Sequence, residues 1–209
     1  MPRRKLGIEQ PKAKSALRTI LKDDKKGKLR VIINIMERAV SNHMLNDSAS
    51  LPPDPDAMFE RDDAENLVVW AFRRWVLGLR HGAPEQWHTV WWGLQRRCGE
   101  ATGREATAAL AEMIEELRRI ARRTITHHEP CCPDIGDDEA TLLVLIGACQ
   151  RGDVLLAQTA AQALSGTLNP DALTLAAMRF AEAFHERGLM LPYRDLSPAI
   201  TLPAAISLH

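Results

Sequence analysis

The densest run of side chains able to do chemistry is His127-His128-Glu129-Pro130-Cys131-Cys132-Pro133. Zinc takes four ligands drawn from thiolate, imidazole and carboxylate, and two residues separate His128 from Cys131, the spacing of one zinc knuckle. The other half of such a site is missing, since no further CxxC or HxxxH pair occurs. Neighbouring side chains also point apart, so His127, His128, Cys131 and Cys132 do not readily converge on one ion. Cys98, Cys149, His81 and His88 would have to be brought to them by the fold. The expectation is a metal-free interhelical loop without a cofactor, with zinc on His127, His128, Cys131 and Cys132 as the alternative. The vicinal cysteines are also open to oxidation, favoured by the imidazoles and the start of a following helix. Negative charge at Glu129, Asp134, Asp137 and Asp138 opposes thiolate formation there.

A second concentration is aromatic. All five tryptophans fall between Trp70 and Trp92. Trp70, Trp75, Trp87 and Trp91 have the spacing to form one buried aromatic layer on two successive helices, which is the usual fate of such clusters. Trp92 lies about a hundred degrees round its helix from Trp91, so one of the two is expected to be exposed. Together with Arg73, Arg74 and Arg80 it marks the expected interaction surface, since exposed tryptophan and arginine anchor protein partners.

Signatures of catalysis are missing. The chain has no Walker loop, GxGxxG, GxSxG, HExxH or EF-hand pattern. The sequence therefore reads as a non-enzymatic protein acting through protein contacts, with a metal-binding module or an enzyme of unrecognised type as alternatives.

The elements that must position these residues are helices. Strand alternation does not persist and no Asn-Gly or Asp-Gly turn occurs. Residues 29–45 carry Val31, Ile32, Ile35, Met36, Ala39 and Val40 on one helical face. Pro52, Pro53 and Pro55 then impose an extended linker. A helix over 66–79 holds Leu67, Val68, Val69, Trp70, Phe72, Trp75, Val76 and Leu79, is apolar on most sides, and is expected to be central. Pro84 suits the first turn of the next helix, which Gly99 and Gly103 separate from one over 106–125. Asp137 or Asp138 is placed to cap a helix over 139–150, with Gly152-Asp153 before a helix over 154–164. Asn169-Pro170 opens the last, over 172–187, ending at Gly188. Short connections between these three imply antiparallel neighbours. The expected fold is all-α: a basic, partly disordered arm over 1–28, a compact helical bundle over 29–188 and a proline-spaced tail over 189–209.

Length and composition agree. The 209 residues are 45% hydrophobic and 26% charged with no net charge, which fits one globular domain with tails. No apolar run reaches the length of a membrane span. The N-terminal residues lack the apolar core of a secretory signal. Four cysteines are too few for a disulfide scaffold, which points to the cytoplasm. Charge is uneven along the chain: residues 1–40 carry +8, 41–70 carry −6, 71–128 carry +4 and 129–209 carry −6, and every lysine lies at or before Lys28. Such an arm can attract nucleic acid. With no aromatic residue before Phe59, it lacks stacking platforms, so a protein partner is favoured over nucleic acid, with a homo-oligomer as a further option.

Cys132-Pro133, followed by Asp138-Glu139-Ala140 and an apolar helix with Leu142, Leu143 and Leu145, resembles a family of small all-helical proteins of alphaproteobacteria. There too an arginine-rich helix precedes the Cys-Pro element, and a Leu/Ala-rich helical pair leads to a Leu-Pro tail like Leu191-Pro192. The resemblance spans residues 65–192. It implies a helical fold and a bacterial origin and carries no activity or site residue with it.

Overall fold

The computed structural model describes residues 64–196. The basic arm, the helix expected over 29–45, the proline linker and the tail beyond residue 196 lie outside the described residues. Six helices follow one another, with no strand among the described residues: α1 (Ala64–His81), α2 (Pro84–Cys98), α3 (Glu100–Ile120), α4 (Asp137–Arg151), α5 (Val154–Ser165) and α6 (Asp171–His185). The fold is all-α, as expected from the helical periodicity.

α1 and α2 form a hairpin through Gly82, with Pro84 in the first turn of α2. Their contact is built on the missing side chain of Gly78. A Cβ there would sit 2.4 Å from Nε1 of Trp87, so only glycine lets the indole lie against α1. That indole N–H donates to the Trp75 carbonyl at 3.1 Å, and the two rings stand 6.0 Å apart. Of the four tryptophans expected to form one layer, Trp75 and Trp87 meet in this pair. Trp91 packs against His88, at 5.8 Å, and Trp70 lies under the guanidinium of Arg74, at 5.5 Å.

Gly99 alone separates α2 from α3. Gly103, expected to break the chain as well, lies inside α3. Its backbone rests on that of Gln95, whose Cα would be 2.5 Å from an added Cβ. Glycine in a helix interior costs about 1 kcal/mol relative to alanine, and here it permits the two helices to approach closely. α3 therefore begins six residues earlier than its sequence suggests. It also stops at Ile120 instead of 125, because the residues that follow bond to α4 and α5.

The most buried helix is α4, not α1. Ten residues are buried in each, but α4 has fifteen residues and α1 eighteen. The unbroken run Leu142 to Ala148 is buried on every side. α6 packs chiefly on α3 and then on α4, and it touches α5 only lightly, so α5 and α6 are not the close antiparallel neighbours expected. α5 lies mainly along α4. Asp153 caps α5 by accepting from Leu156 N–H at 3.0 Å, whereas α4 is capped at Gly136 and α6 at Pro170, not at the predicted aspartates or Asn169.

After α6 the chain returns across the end of α4. Gln150 donates to the Leu189 carbonyl at 2.8 Å and accepts from Leu191 N–H at 2.9 Å. Leu191 is buried, and Arg194 pairs in a fork with Glu65 at the start of α1. The expected draping of the tail is present as far as residue 196.

Gly103→Ala weighs helix propensity against backbone packing. Overpacking against a rigid backbone typically costs 1–3 kcal/mol, more than the alanine gains. The variant is expected to unfold at lower urea than the native chain. A raised midpoint would mean that α2 and α3 separate without cost.

Candidate functional site

Residues 121–136 link α3 to α4 without regular structure, so their backbone donors and acceptors need partners from elsewhere. Several of those partners come from three side chains: Arg73 of α1, and Asp138 and Glu139 in the first turn of α4. Arg73 and Glu139 are 3% and 0% exposed and meet as a two-pronged ion pair, Nε to Oε1 at 2.6 Å and Nη2 to Oε2 at 2.8 Å. The remaining guanidinium protons go to the loop. Nη1 donates to the carbonyls of Cys132 (2.5 Å) and Glu129 (3.3 Å), and Nη2 to that of Asp134 (2.5 Å).

Glu139 works from the other side. It accepts from the backbone N–H groups of His128, at 3.1 Å, and Gly136, at 2.8 Å. The second bond closes the start of α4 in the manner of a capping box. Burial pushes its carboxyl pKa up, but the hydrogen bonds from Arg73, Gly136 and His128 and the charge of Arg73 outweigh that, so the net shift is downward. Asp138 is held the same way. Desolvation raises it, and the bonds from Arg123 and from the backbone and hydroxyl of Thr126 bring it below its ordinary value. The Thr126 bonds are 2.6 Å from N–H and 2.8 Å from Oγ1, and Arg123 forms an ion pair with the same carboxylate. Both carboxylates also sit at the positive end of the α4 dipole, which favours their charge.

The His/Cys cluster lies on this anchored loop. Cys131 is exposed and Cys132 half-buried, in a turn closed by Cys132 N–H to the Glu129 carbonyl at 3.0 Å. His127 faces Phe72 edge-on at 6.4 Å, and its Nδ1 is 3.0 Å from the His128 carbonyl. His128 is exposed and, with Thr126, His127, Gly136 and Asp137, lines an open cleft. The four predicted ligands are not brought together. Among the described residues no three His, Cys, Asp or Glu side chains form a group able to hold an ion. Cys98 and Cys149 lie elsewhere, and burial pushes each thiol up to about 11.

The predicted interaction residues separate as well. Arg73 is not a surface residue: as the partner of Glu139 it is part of the core. Arg74 is half-buried, donates to Gln86 at 2.8 Å and covers Trp70, and burial lowers its pKa. Arg80 is exposed near the end of α1. Trp92 is 40% exposed and carries Arg96 over its ring at 5.5 Å, whereas the adjacent Trp91 is more buried. Sequence reasoning missed Asp138 and Glu139 as organisers of the loop. The signal for Arg73 was available, since it follows Val69 and Trp70 by one helical turn and so falls on their apolar face.

No protein-family model, no curated protein and no solved structure matches the chain.

Removing one member of a buried pair strands the other, at roughly 3–5 kcal/mol. Glu139→Gln and Arg73→Met are each expected to destabilise by that order. The double variant should lose clearly less than their sum in a denaturant double-mutant cycle; additive losses would deny the coupling.

The carboxyl of Glu139 is depressed below its ordinary 4.5 in the folded chain. Its contribution to stability is therefore fully present above 4.5 and is lost as pH falls through the folded value. Acid titration of stability should fall in that window, less steeply in Glu139→Gln. An unchanged slope in the variant would show that Glu139 does not titrate on unfolding.

Thiolate and imidazole ligands hold zinc tightly at neutral pH, so a real site would survive gentle purification. Elemental analysis is expected to find zinc far below one per chain and insensitive to Cys131→Ser. Stoichiometric zinc lost in Cys131→Ser and Cys132→Ser would place the cluster at the centre of the protein's function.

Proposed function

We propose that the chain is a cytoplasmic, non-enzymatic helical protein that works by docking a protein partner on the outer face of α2. The observation that carries this reading is Trp92. It is a large aromatic side chain, 40% exposed on a regular helix, with the guanidinium of Arg96 stacked on it one turn later. Tryptophan and arginine are the residues most enriched among binding hot spots, and a helical site is held more rigidly than a loop. The stacked guanidinium covers one side of the indole and leaves a mixed apolar and cationic patch, suited to a partner surface that offers an apolar pocket beside an acidic group.

The charge distribution supports a protein partner over nucleic acid. Along α3 the basic side chains are largely matched by acidic ones: Arg104 with Glu100, Arg118 with Glu115 and Arg119 with Glu116. Glu112 meets Arg179 of α6. No continuous basic face of the kind that tracks phosphates is left on that helix. The basic arm that could add one lies outside the described residues. Among the described residues no helix is long and apolar enough to cross a membrane, and the four thiols are unpaired, which fits a reducing compartment.

The test is quantitative capture of partners from native cells by the full chain and by Trp92→Ala. A hot-spot tryptophan contributes on the order of 2 kcal/mol, about a thirtyfold loss of affinity. Partner recovery should therefore collapse while the unfolding free energy changes by less than ~0.5 kcal/mol, as at other exposed positions. Equal recovery by both chains would remove Trp92 from the interface and leave the docking proposal without its anchor.

A further inference from the structure

All four cysteines lie within the described residues, and the fold divides them into two classes. Cys98 is 1% exposed in α2, and Cys149 is half-buried in α4; burial pushes each thiol up to about 11, far from the reactive thiolate. Cys131 is exposed and Cys132 half-buried, on consecutive residues of one loop. For a thiol that reacts at Cys131, the cysteine placed beside it in the chain is Cys132.

The backbone around the pair is unusually constrained. Pro130 and Pro133 flank it, each fixing its own φ and restricting the residue before it. The carbonyls of Glu129 and Cys132 both accept from Nη1 of Arg73, and Cys132 N–H closes the turn back onto the Glu129 carbonyl. Cys131 sits at the tip of this turn and Cys132 at its end, where the carbonyls of Glu129 and Cys132 share one buried guanidinium. Of the nearby carboxylates, Asp138 is engaged by Arg123 and Thr126 and Glu139 by Arg73, whereas Glu129, Asp134 and Asp137 are exposed.

We infer that Cys131 and Cys132 form a reversible dithiol modification site that takes low-molecular-weight disulfides and closes to a vicinal disulfide. The steps balance by ordinary thiol–disulfide exchange. The exposed Cys131 thiolate attacks one sulfur of the small disulfide, whose S–S bond breaks and releases one thiolate. Cys132 thiolate then attacks Sγ of Cys131, the mixed disulfide breaks, and the second small thiolate leaves. Two cysteine thiols are oxidised, the small disulfide is reduced to two thiols, and the two cysteine protons end on them. Adjacent Cα atoms are only ~3.8 Å apart, below the usual disulfide span, so the ring is strained. Strained, exposed disulfides are the labile kind, which makes the closed form readily reducible.

The experiment uses the full chain, reduced and freed of reductant. A chromogenic aromatic disulfide should titrate two thiols quickly in the native protein and all four only after denaturation. Incubation with glutathione disulfide should then give a monomer lighter by two hydrogen atoms. Peptide mapping should place both missing hydrogens on Cys131 and Cys132, and dithiothreitol should restore them. Cys132→Ser should stop at a glutathione adduct on Cys131, which separates attack from closure. A disulfide-linked dimer as the main product, a persistent adduct on the native chain, or a product involving Cys98 or Cys149 would each overturn the proposal. So would a chain whose four thiols remain unreacted.

Discussion

The Arg73–Glu139 pair is the constraint on which the rest of the structure depends. Two charges have been taken out of water, and this is tolerable only when nearly every proton and lone pair finds a partner. Here the geometry meets that demand: a two-pronged ion pair, three loop carbonyls on the guanidinium and two loop N–H groups on the carboxylate. The pair is therefore less a link between two residues than the nucleus of a polar network. Its members come from α1, from α4 and from the segment between α3 and α4. α1 meets α4 over a small contact, so this network supplies much of what holds α1 to α4, while α2 is placed by its packing on α3. A lysine could not replace Arg73, because a single ammonium cannot present a planar fork and still reach the loop carbonyls.

Around that nucleus the apolar core follows simpler rules. α4 is enclosed because its middle is apolar all round, and a helix of that kind has no face to give to water. α5 and α6 close over it and α6 packs in turn on the amphipathic α3, with Phe180 and Phe184 of α6 fully buried and their rings 4.6 Å apart. Small residues set the distances between helices. Gly78 admits an indole, Gly103 admits a backbone, and the alanines Ala157, Ala160 and Ala161 let α5 settle closely on α4. Close contact of this kind is the alternative to large side chains when short helices have to form one core.

What the sequence made legible follows the same division. Periodicity locates all six described helices, because each has an apolar face or an apolar run. Boundaries fail where tertiary bonds override local signals. Gly103 has the composition of a break but is retained in α3 for its lack of a Cβ. Residues 121–125 continue a helical pattern, yet Arg122 N–H donates to the Ser165 carbonyl and Arg123 turns to Asp138. The site was legible only in part. A run of His, Cys and Pro is conspicuous, whereas Arg73 and Glu139 are 66 positions apart and nothing local announces their pairing. Asp137 and Asp138 were read as caps because capping is a local function of aspartate, but Asp138 spends its carboxylate on the preceding loop and leaves the helix start to Glu139.

The network also changes what the conspicuous residues mean. Much of the polar density around 121–139 is accounted for by structure: Asp138 and Glu139 serve backbone N–H groups, Arg123 balances Asp138, and Pro130 and Pro133 shape the turn. Once these are set aside, the side chains left at the loop surface include the Cys131 thiol, the half-buried Cys132 thiol, the His128 ring and the carboxylates of Glu129, Asp134 and Asp137. On the helical hairpin the same subtraction removes Arg73 and engages Arg74 with Gln86 and Trp70, leaving Trp92 as the large apolar group exposed on α2. A buried polar network is costly to half-satisfy, so the residues that complete it are not free to serve a second chemistry. The functional surface of this protein is thus to be sought where the network ends: at the thiols it holds in a turn, and at an indole that packing alone does not explain.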